Sequence, residues 1–328
     1  MRENPGKIYD ANVCVVGGAG FLGSHLVNHL IEERLCNVTV VDNLTVGRRE
    51  FIHPAARFEH HDITGSETHL AKFFNEHQTQ FVFNYAAHPY IPVSYDRPLH
   101  VFETNATGAM KVINGAQEAH CEAILQVSSA EIYGSAKLGV LNESYPVEPH
   151  STYGVAKAAV DQYCQTSWKE RNTRVISMRQ FNCVGPRETH PYVIPEIISQ
   201  IHVGKREGMY YRVDLGNNTH RDFLAAGDAV RMATELLEHG EFGQVYNMGS
   251  ESAVQIYDLA CMIGRLMGRD CVVRKDETRV RPWEIWYLMS DNTKLYDTIA
   301  YRPQMGLEDS LELTIEDFHR NGDKWVWQ

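Results

Sequence analysis

The stretch VCVVGGAGFLGSHL, Val13 to Leu26, decides the fold. Four β-branched or apolar residues run straight into a glycine-rich turn, and the turn runs into an amphipathic helical pattern. Gly17, Gly20 and Gly23 stand at GxxGxxG spacing across that junction. Glycine there permits the tight turn, lets the backbone approach a pyrophosphate, and lets the helix pack on the strand, while the free N–H groups of the helix start favour an anion. The next apolar run ends in VVDN, which puts Asp42 about 20 residues further on, where a carboxylate accepts both hydroxyls of a ribose and repels a 2′-phosphate. The pattern therefore points to NAD rather than NADP. Asp62 and Ile63, in HHDI after a third short strand, are candidates for the adenine end.

The same rhythm continues outward. Short apolar runs at Asn12 to Val16, Asn37 to Val41, Gln80 to Tyr85, Glu122 to Val127 and Val175 to Gln180 alternate with helical periodicity at Phe21 to Glu33, Pro98 to Gln117 and Thr152 to Arg171. Strands separated by helices imply an α/β fold, a doubly wound parallel sheet covered on both faces and joined by right-handed crossovers. Small residues on the last two helices, among them Ala106, Gly108, Ala109, Ala156, Ala158 and Ala159, predict close packing. Beyond Gln180 the texture becomes irregular, in FNCVGPRETHP, GNNTH and RVRPWE, and these loops are expected to carry substrate contacts.

Composition narrows the function. With 328 residues, 43% hydrophobic and 22% charged, the chain is that of a folded globular protein exceeding one ordinary core. A net charge of −11 argues against a nucleic-acid partner, which clustered Lys and Arg would hold. The seven cysteines form no CxxC pair and the sixteen histidines no HxxxH or HExxH spacing, so neither a disulfide framework nor a metal is expected. MRENPGKIYDANVCVV has no apolar signal segment, and no run of about 18 apolar residues occurs, so no membrane association and a cytoplasmic location are expected.

STYGVAKAAV begins with a helix N-cap and puts Tyr153 and Lys157 on one helix face at i and i+4. A lysine ammonium beside a tyrosine hydroxyl is expected to depress its pKa, so that Tyr153 can take a proton from an alcohol as hydride leaves the carbon. Ser129, at the end of a strand about two dozen residues earlier, can share that proton. VSSAEIYG, Val127 to Gly134, then places Glu131 where an apolar strand ends. Burying a carboxylate there costs several kcal/mol unless it is paired or used.

Together these residues resemble the extended short-chain dehydrogenase/reductase family, specifically its NAD-dependent nucleotide-sugar epimerases and dehydratases. GGAGFLG, Asp42, NYAAH (Asn84 to His88), ETNATG (Glu103 to Gly108), SSAEIYG, YGVAK, RQFNCVGPR (Arg179 to Arg187), HRDF (His220 to Phe223), YNMGS (Tyr246 to Ser250) and RPWE (Arg281 to Glu284) occur in the family's order over nearly the whole chain. The resemblance implies a Rossmann domain over 1–180 with a later return near 222–250, and a smaller C-terminal α/β nucleotide-sugar domain over 181–221 and 251–328. It implies tightly held NAD and a homodimer through the two small-residue helices. It adds Phe21, Leu22, Asn43, Ala86 and Asn105 to the cofactor residues, with Tyr153 and Lys157 also reaching the cofactor. It places Asn182, Arg187, Arg221 and Arg281 on the substrate. A guanidinium offers paired donors to phosphate oxygens, which suits a diphosphate-linked sugar. His88, Tyr90 and Tyr95, in AAHPYIPVSY, match a run in enzymes of acetamido sugars, with Tyr90 or Tyr95 either shaping the sugar pocket or packing.

By the resemblance, Glu131 distinguishes chemistries. Simple 4-epimerases carry a small or hydroxylic residue there, and 4,6-dehydratases carry glutamate. After oxidation at carbon 4, a carboxylate can remove the acidified carbon 5 hydrogen, the carbon 6 hydroxyl leaves as water, and hydride returns to carbon 6. The expected activity is 4,6-dehydration, with catalytic Ser129, Glu131, Tyr153 and Lys157. Two alternatives remain. Ala130 stands where many deoxythymidine-diphosphate-glucose dehydratases have an acidic Asp, which leaves 4-epimerisation open. Uridine-diphosphate-glucuronate decarboxylases also carry Glu at this position, which leaves decarboxylation or another carbon 5 chemistry, 5,6-dehydration included, open. An NAD-binding module without turnover is the remaining class, against which the Ser129, Tyr153 and Lys157 set speaks.

Overall fold

The computed structural model describes residues 8–134, 139–189 and 191–321. The first seven residues of the N-terminal stretch and His190 of the FNCVGPRETHP loop lie outside them. The glycine turn joins β1 (Asn12–Val16) to α1 (Phe21–Glu32), followed by β2 (Asn37–Asp42), β3 (Arg57–His60), α2 (Glu67–Glu76) and β4 (Phe81–Asn84). Then come α3 (Val93–Asp96), α4 (Pro98–Phe102), α5 (Ala109–Glu118), β5 (Ala123–Ser129), α6 (Thr152–Arg171), β6 (Val175–Gln180) and β7 (Asn182–Val184). The C-terminal part holds α7 (Val193–Val203), β8 (Arg206–Glu207), β9 (Tyr210–Leu215), β10 (His220–Ala225), α8 (Ala226–His239) and β11 (Val245–Met248). Last are β12 (Ala253–Gln255), α9 (Ile256–Leu266), β13 (Cys271–Lys275), α10 (Thr293–Tyr296) and α11 (Leu307–Asn321).

Seven parallel strands form the main sheet in the order β11-β6-β5-β4-β1-β2-β3, so the order reverses between β1 and β4. Strands buried on both faces explain why they read as continuous apolar runs. One face packs Leu26, Val27 and Leu30 of α1 with Ala229, Met232 and Leu236 of α8, and this core also takes in Leu295 and Ile299 near the C-terminus. The other packs Leu70, Phe74, Val112, Ile113 and Val160 from α2, α5 and α6. A separate cluster joins α7, α9 and α11 over β9 and β10. Two three-stranded sheets, β12-β10-β7 and β13-β9-β8, complete the molecule.

The helix expected over Pro98 to Gln117 is divided by a π-helical segment, Glu103–Gly108. α6 has the expected bounds, because Ser151 Oγ accepts from the Gly154 N–H at 3.0 Å and Asn172 ends it in a left-handed conformation. Among the described residues no helix is long and apolar enough to cross a membrane, and no cluster of three metal-ligating side chains occurs. All seven cysteines are free, five of them buried.

Candidate active site

A cavity of about 710 Å³ opens at the carboxyl ends of the main sheet, over the point where its strand order reverses. At one end it is lined by Gly17, Gly20, Phe21, Leu22, Gly23, Asp42, Asn43, Ile63 and Ala86. Gly17 has φ +80°, and a Cβ there would lie 2.5 Å from the Ala86 nitrogen, so only glycine fits. No side chain caps α1, and its first-turn N–H groups face the cavity. Asp42 is held in place by two backbone donors, the Ala19 N–H to Oδ2 at 3.0 Å and the Leu44 N–H to Oδ1 at 2.8 Å. Burial raises its pKa above the usual carboxyl value and the two bonds oppose this. An uncapped helix start, a turn that excludes side chains and a strand-end carboxylate with lone pairs to spare are a donor set that fits a dinucleotide.

Two residues expected to touch the cofactor do not line the cavity. Asp62 instead accepts from Asn43 Nδ2 at 2.9 Å and from the Thr64 N–H and hydroxyl at 2.8 and 2.7 Å, tying the end of β2 to the loop after β3. Asn105, fully buried on the π-helical segment, brackets the His88 backbone, accepting its N–H at 2.9 Å and donating to its carbonyl at 3.0 Å. Fully buried and bonded to both backbone groups of that loop, Asn105 holds the wall in place from behind and does not line it.

At the centre of the cavity β5 ends in Ser129, and a 3-10 turn, Ala130–Tyr133, carries Glu131. Gly134 closes that turn at φ +61°, where a Cβ would meet the Glu148 carbonyl at 1.9 Å. Behind it a buried network clamps α6 to β6. Arg179 donates to Asp161 at 2.8 Å and to the Tyr133 hydroxyl at 2.9 Å, and Tyr133 donates to Asn247 at 2.6 Å. Ser129 Oγ accepts the Glu131 N–H at 3.2 Å, and its hydroxyl is near enough to Tyr153 to favour the ionised phenol. Tyr153 and Lys157 share the cavity, but the expected depression of the tyrosine by the lysine does not occur. Burial pushes Tyr153 well above its ordinary pKa, the nearby Ser129 hydroxyl opposes this, and the Glu131 charge adds to it. The reason lies in the direction of Lys157. Its ammonium donates to the Val127 carbonyl at 3.0 Å and lies 5.9 Å from the Tyr153 ring centre, and burial lowers its own pKa to about 8.

Glu131 is partly buried, and among the described residues nothing hydrogen-bonds its carboxylate. Its charge is felt by Tyr153, Arg221 and Tyr95. Arg221 is 7% exposed and donates to the His220 and Ile285 carbonyls at 2.9 and 2.7 Å, with Glu284 at 3.4 Å. Arg281 lies beside it, and Asn182, Tyr90 and Tyr95 complete the expected substrate wall. His88 also lines the cavity. It shares a hydrogen bond with His100 at 2.9 Å, and burial, then the His100 charge, lowers its pKa. Arg187 is the exception, because it does not line the cavity. Its φ of +68° swings the side chain away toward His25 and Asp317, and its N–H donates to Asp317 Oδ2 at 2.8 Å. Sequence reasoning missed Glu188 and Tyr192 of the same loop, which do line the cavity. Their position just past a strand's carboxyl end was the available signal.

Residues 13–249 match the NAD dependent epimerase/dehydratase family. The chain belongs to that family, whose cofactor is NAD. It is 25% identical to a dTDP-D-glucose 4,6-dehydratase of Mus musculus, over 99% of this chain and 93% of the relative. It is 27% identical to a UDP-glucose 4-epimerase of Streptococcus mutans, over 96% of each. The solved dTDP-glucose 4,6-dehydratase of Streptomyces venezuelae, with NAD bound, superimposes with a TM-score of 0.87 at 26% identity, covering 96% of this chain and 98% of that one.

Proposed function

We propose that this protein is a nucleotide-diphosphate-hexose 4,6-dehydratase, a lyase. The observation that carries the reading is Glu131, a carboxylate set in the same cavity as Ser129, Tyr153 and Lys157 without a hydrogen-bond partner among the described residues. A structural acceptor would be expected to have protein donors, whereas this half-buried carboxylate faces the cavity with none, where it is free to act on a bound ligand. NAD, when bound, supplies the acceptor for the carbon 4 hydride and its return to carbon 6. Tyr153 takes the carbon 4 hydroxyl proton, with Ser129 holding the hydroxyl in line and Lys157 holding the cofactor ribose. Glu131 removes the carbon 5 proton from the resulting ketone. Arg221 and Arg281 hold the diphosphate, and Asn182 stands beside it. The division into a cofactor part (1–180 and 222–250) and a substrate part (181–221 and 251–328) belongs to the same reading. So do a cytoplasmic location and a homodimer, the latter supported by Leu99, Phe102 and Val155, apolar side chains exposed on α4 and α6.

Ala130 favours 4-epimerisation as the second reading. It is 2% exposed, lines the cavity beside Ser129, and has no proton to give. Glu131→Gln separates the two. A dehydratase so altered still accumulates reduced nicotinamide on mixing with substrate but releases no water, whereas an epimerase continues to interconvert its sugars.

A further inference from the structure

A dehydration cycle must move two protons besides the hydride. The carbon 4 hydroxyl gives one to Tyr153 and carbon 5 gives one to Glu131, while the departing hydroxyl and carbon 5 must each receive one. Ala130 delivers neither.

Another carboxyl group of the cavity wall lies in the loop after β7. The left-handed backbone at Arg187 turns that side chain outward and the next one, Glu188, inward. Glu188 is partly buried, and its Oε2 is fully enclosed with no hydrogen-bond partner. Burial alone pushes it well above the usual carboxyl range, which favours its protonated, acid form. Tyr192, at the start of α7, also lines the cavity, meets Tyr90 edge-on at 6.2 Å, and lies within the electrostatic reach of both Tyr153 and Glu188. Glu188 and Tyr153 thus flank one phenol.

We propose that Glu188 is the acid that protonates the departing carbon 6 hydroxyl and that Tyr192 returns to it the proton collected by Tyr153. The assignment rests on the dehydratase reading. Protons then balance for a cycle that begins with Tyr153 ionised, Glu131 ionised and Glu188 protonated. The carbon 4 hydroxyl proton goes to Tyr153, Glu131 takes the carbon 5 proton, and Glu188 releases its own as the C6–O bond breaks and water forms. Hydride adds to carbon 6 while Glu131 returns its proton to carbon 5, and the Tyr153 proton passes through Tyr192 to the Glu188 carboxylate. The substrate has lost one water and every protein group is restored.

The test compares wild type, Glu188→Gln and Glu188→Asp on the nucleotide sugar that wild type dehydrates and on its 6-deoxy-6-fluoro analogue, since fluoride departs without a proton. Glu188→Gln should lose water about 100-fold or more slowly, the low end for a missing general acid, yet expel fluoride within a few-fold of wild type. Glu188→Asp, which keeps a proton, should recover part of the water loss. Equal water loss in wild type and Glu188→Gln, or water and fluoride loss slowed alike while Glu188→Asp restores neither, overturns the role of Glu188 and leaves the dehydratase reading standing. Wild type that eliminates neither water nor fluoride from any sugar nucleotide overturns both.

Discussion

Lys157 should make the cofactor-free protein less stable than a variant without it. It is 2% exposed, and its ammonium has the Val127 carbonyl at 3.0 Å as its hydrogen-bond acceptor. Burial alone takes its pKa from 10.5 to about 8. At about 1.36 kcal/mol per pKa unit that fall amounts to about 3 kcal/mol against the charged form. Below pH 8 the amine is charged in the folded and the unfolded chain, so the full cost falls on the folded state. Between pH 8 and 10.5 the folded protein has released the proton and the unfolded chain has not, so stability from this group rises with pH. Lys157→Met keeps the length of the side chain and removes the charge. With an unfolding entropy of about 2.1 cal/mol/K per residue over 328 residues, the variant should melt about 4 °C higher at pH 7, and the gap should close toward pH 10.5. Calorimetry of NAD-free protein at pH 7 and pH 10 measures it. A variant that melts lower than wild type at pH 7, or a gap that does not narrow with pH, would refute the argument that Lys157 is held in place at the expense of stability.

Tyr153→Phe removes the base and leaves the cavity's shape, so turnover should fall about 10²- to 10⁴-fold while NAD stays bound, measured as product formation and cofactor content. Normal turnover would remove Tyr153 from the chemistry. Asp42→Ala removes the acceptor held by the Ala19 and Leu44 N–H groups, and NADP should then compete with NAD in a fluorescence titration where it does not in wild type.

How far the sequence could be read depended on whether a local rule or a tertiary one set the position. The β1–α1 junction was legible because glycine at Gly17 answers a backbone requirement that no other residue meets. α6 was legible to the residue because Ser151 and Asn172 end it by local bonds and local conformation. The π-helical segment was not, because one widened turn leaves apolar periodicity almost unchanged and the need for it lies across the fold, at His88. In the FNCVGPRETHP loop Arg187 has a positive φ and it is the adjacent Glu188 that lines the cavity, and residue type does not encode that sign. The electrostatics of Tyr153 were misjudged for a related reason. The i and i+4 spacing places Lys157 on the right face but cannot show that its ammonium is directed at the Val127 carbonyl.

The most direct test of the proposed activity is the mass of the products formed when the protein and NAD are incubated with uridine, guanosine, cytidine and thymidine diphosphate sugars, glucuronate and N-acetyl forms included. Loss of one water from one of these hexoses is the predicted result. Product of unchanged mass but altered sugar configuration, or loss of carbon dioxide from the uronate, would contradict it.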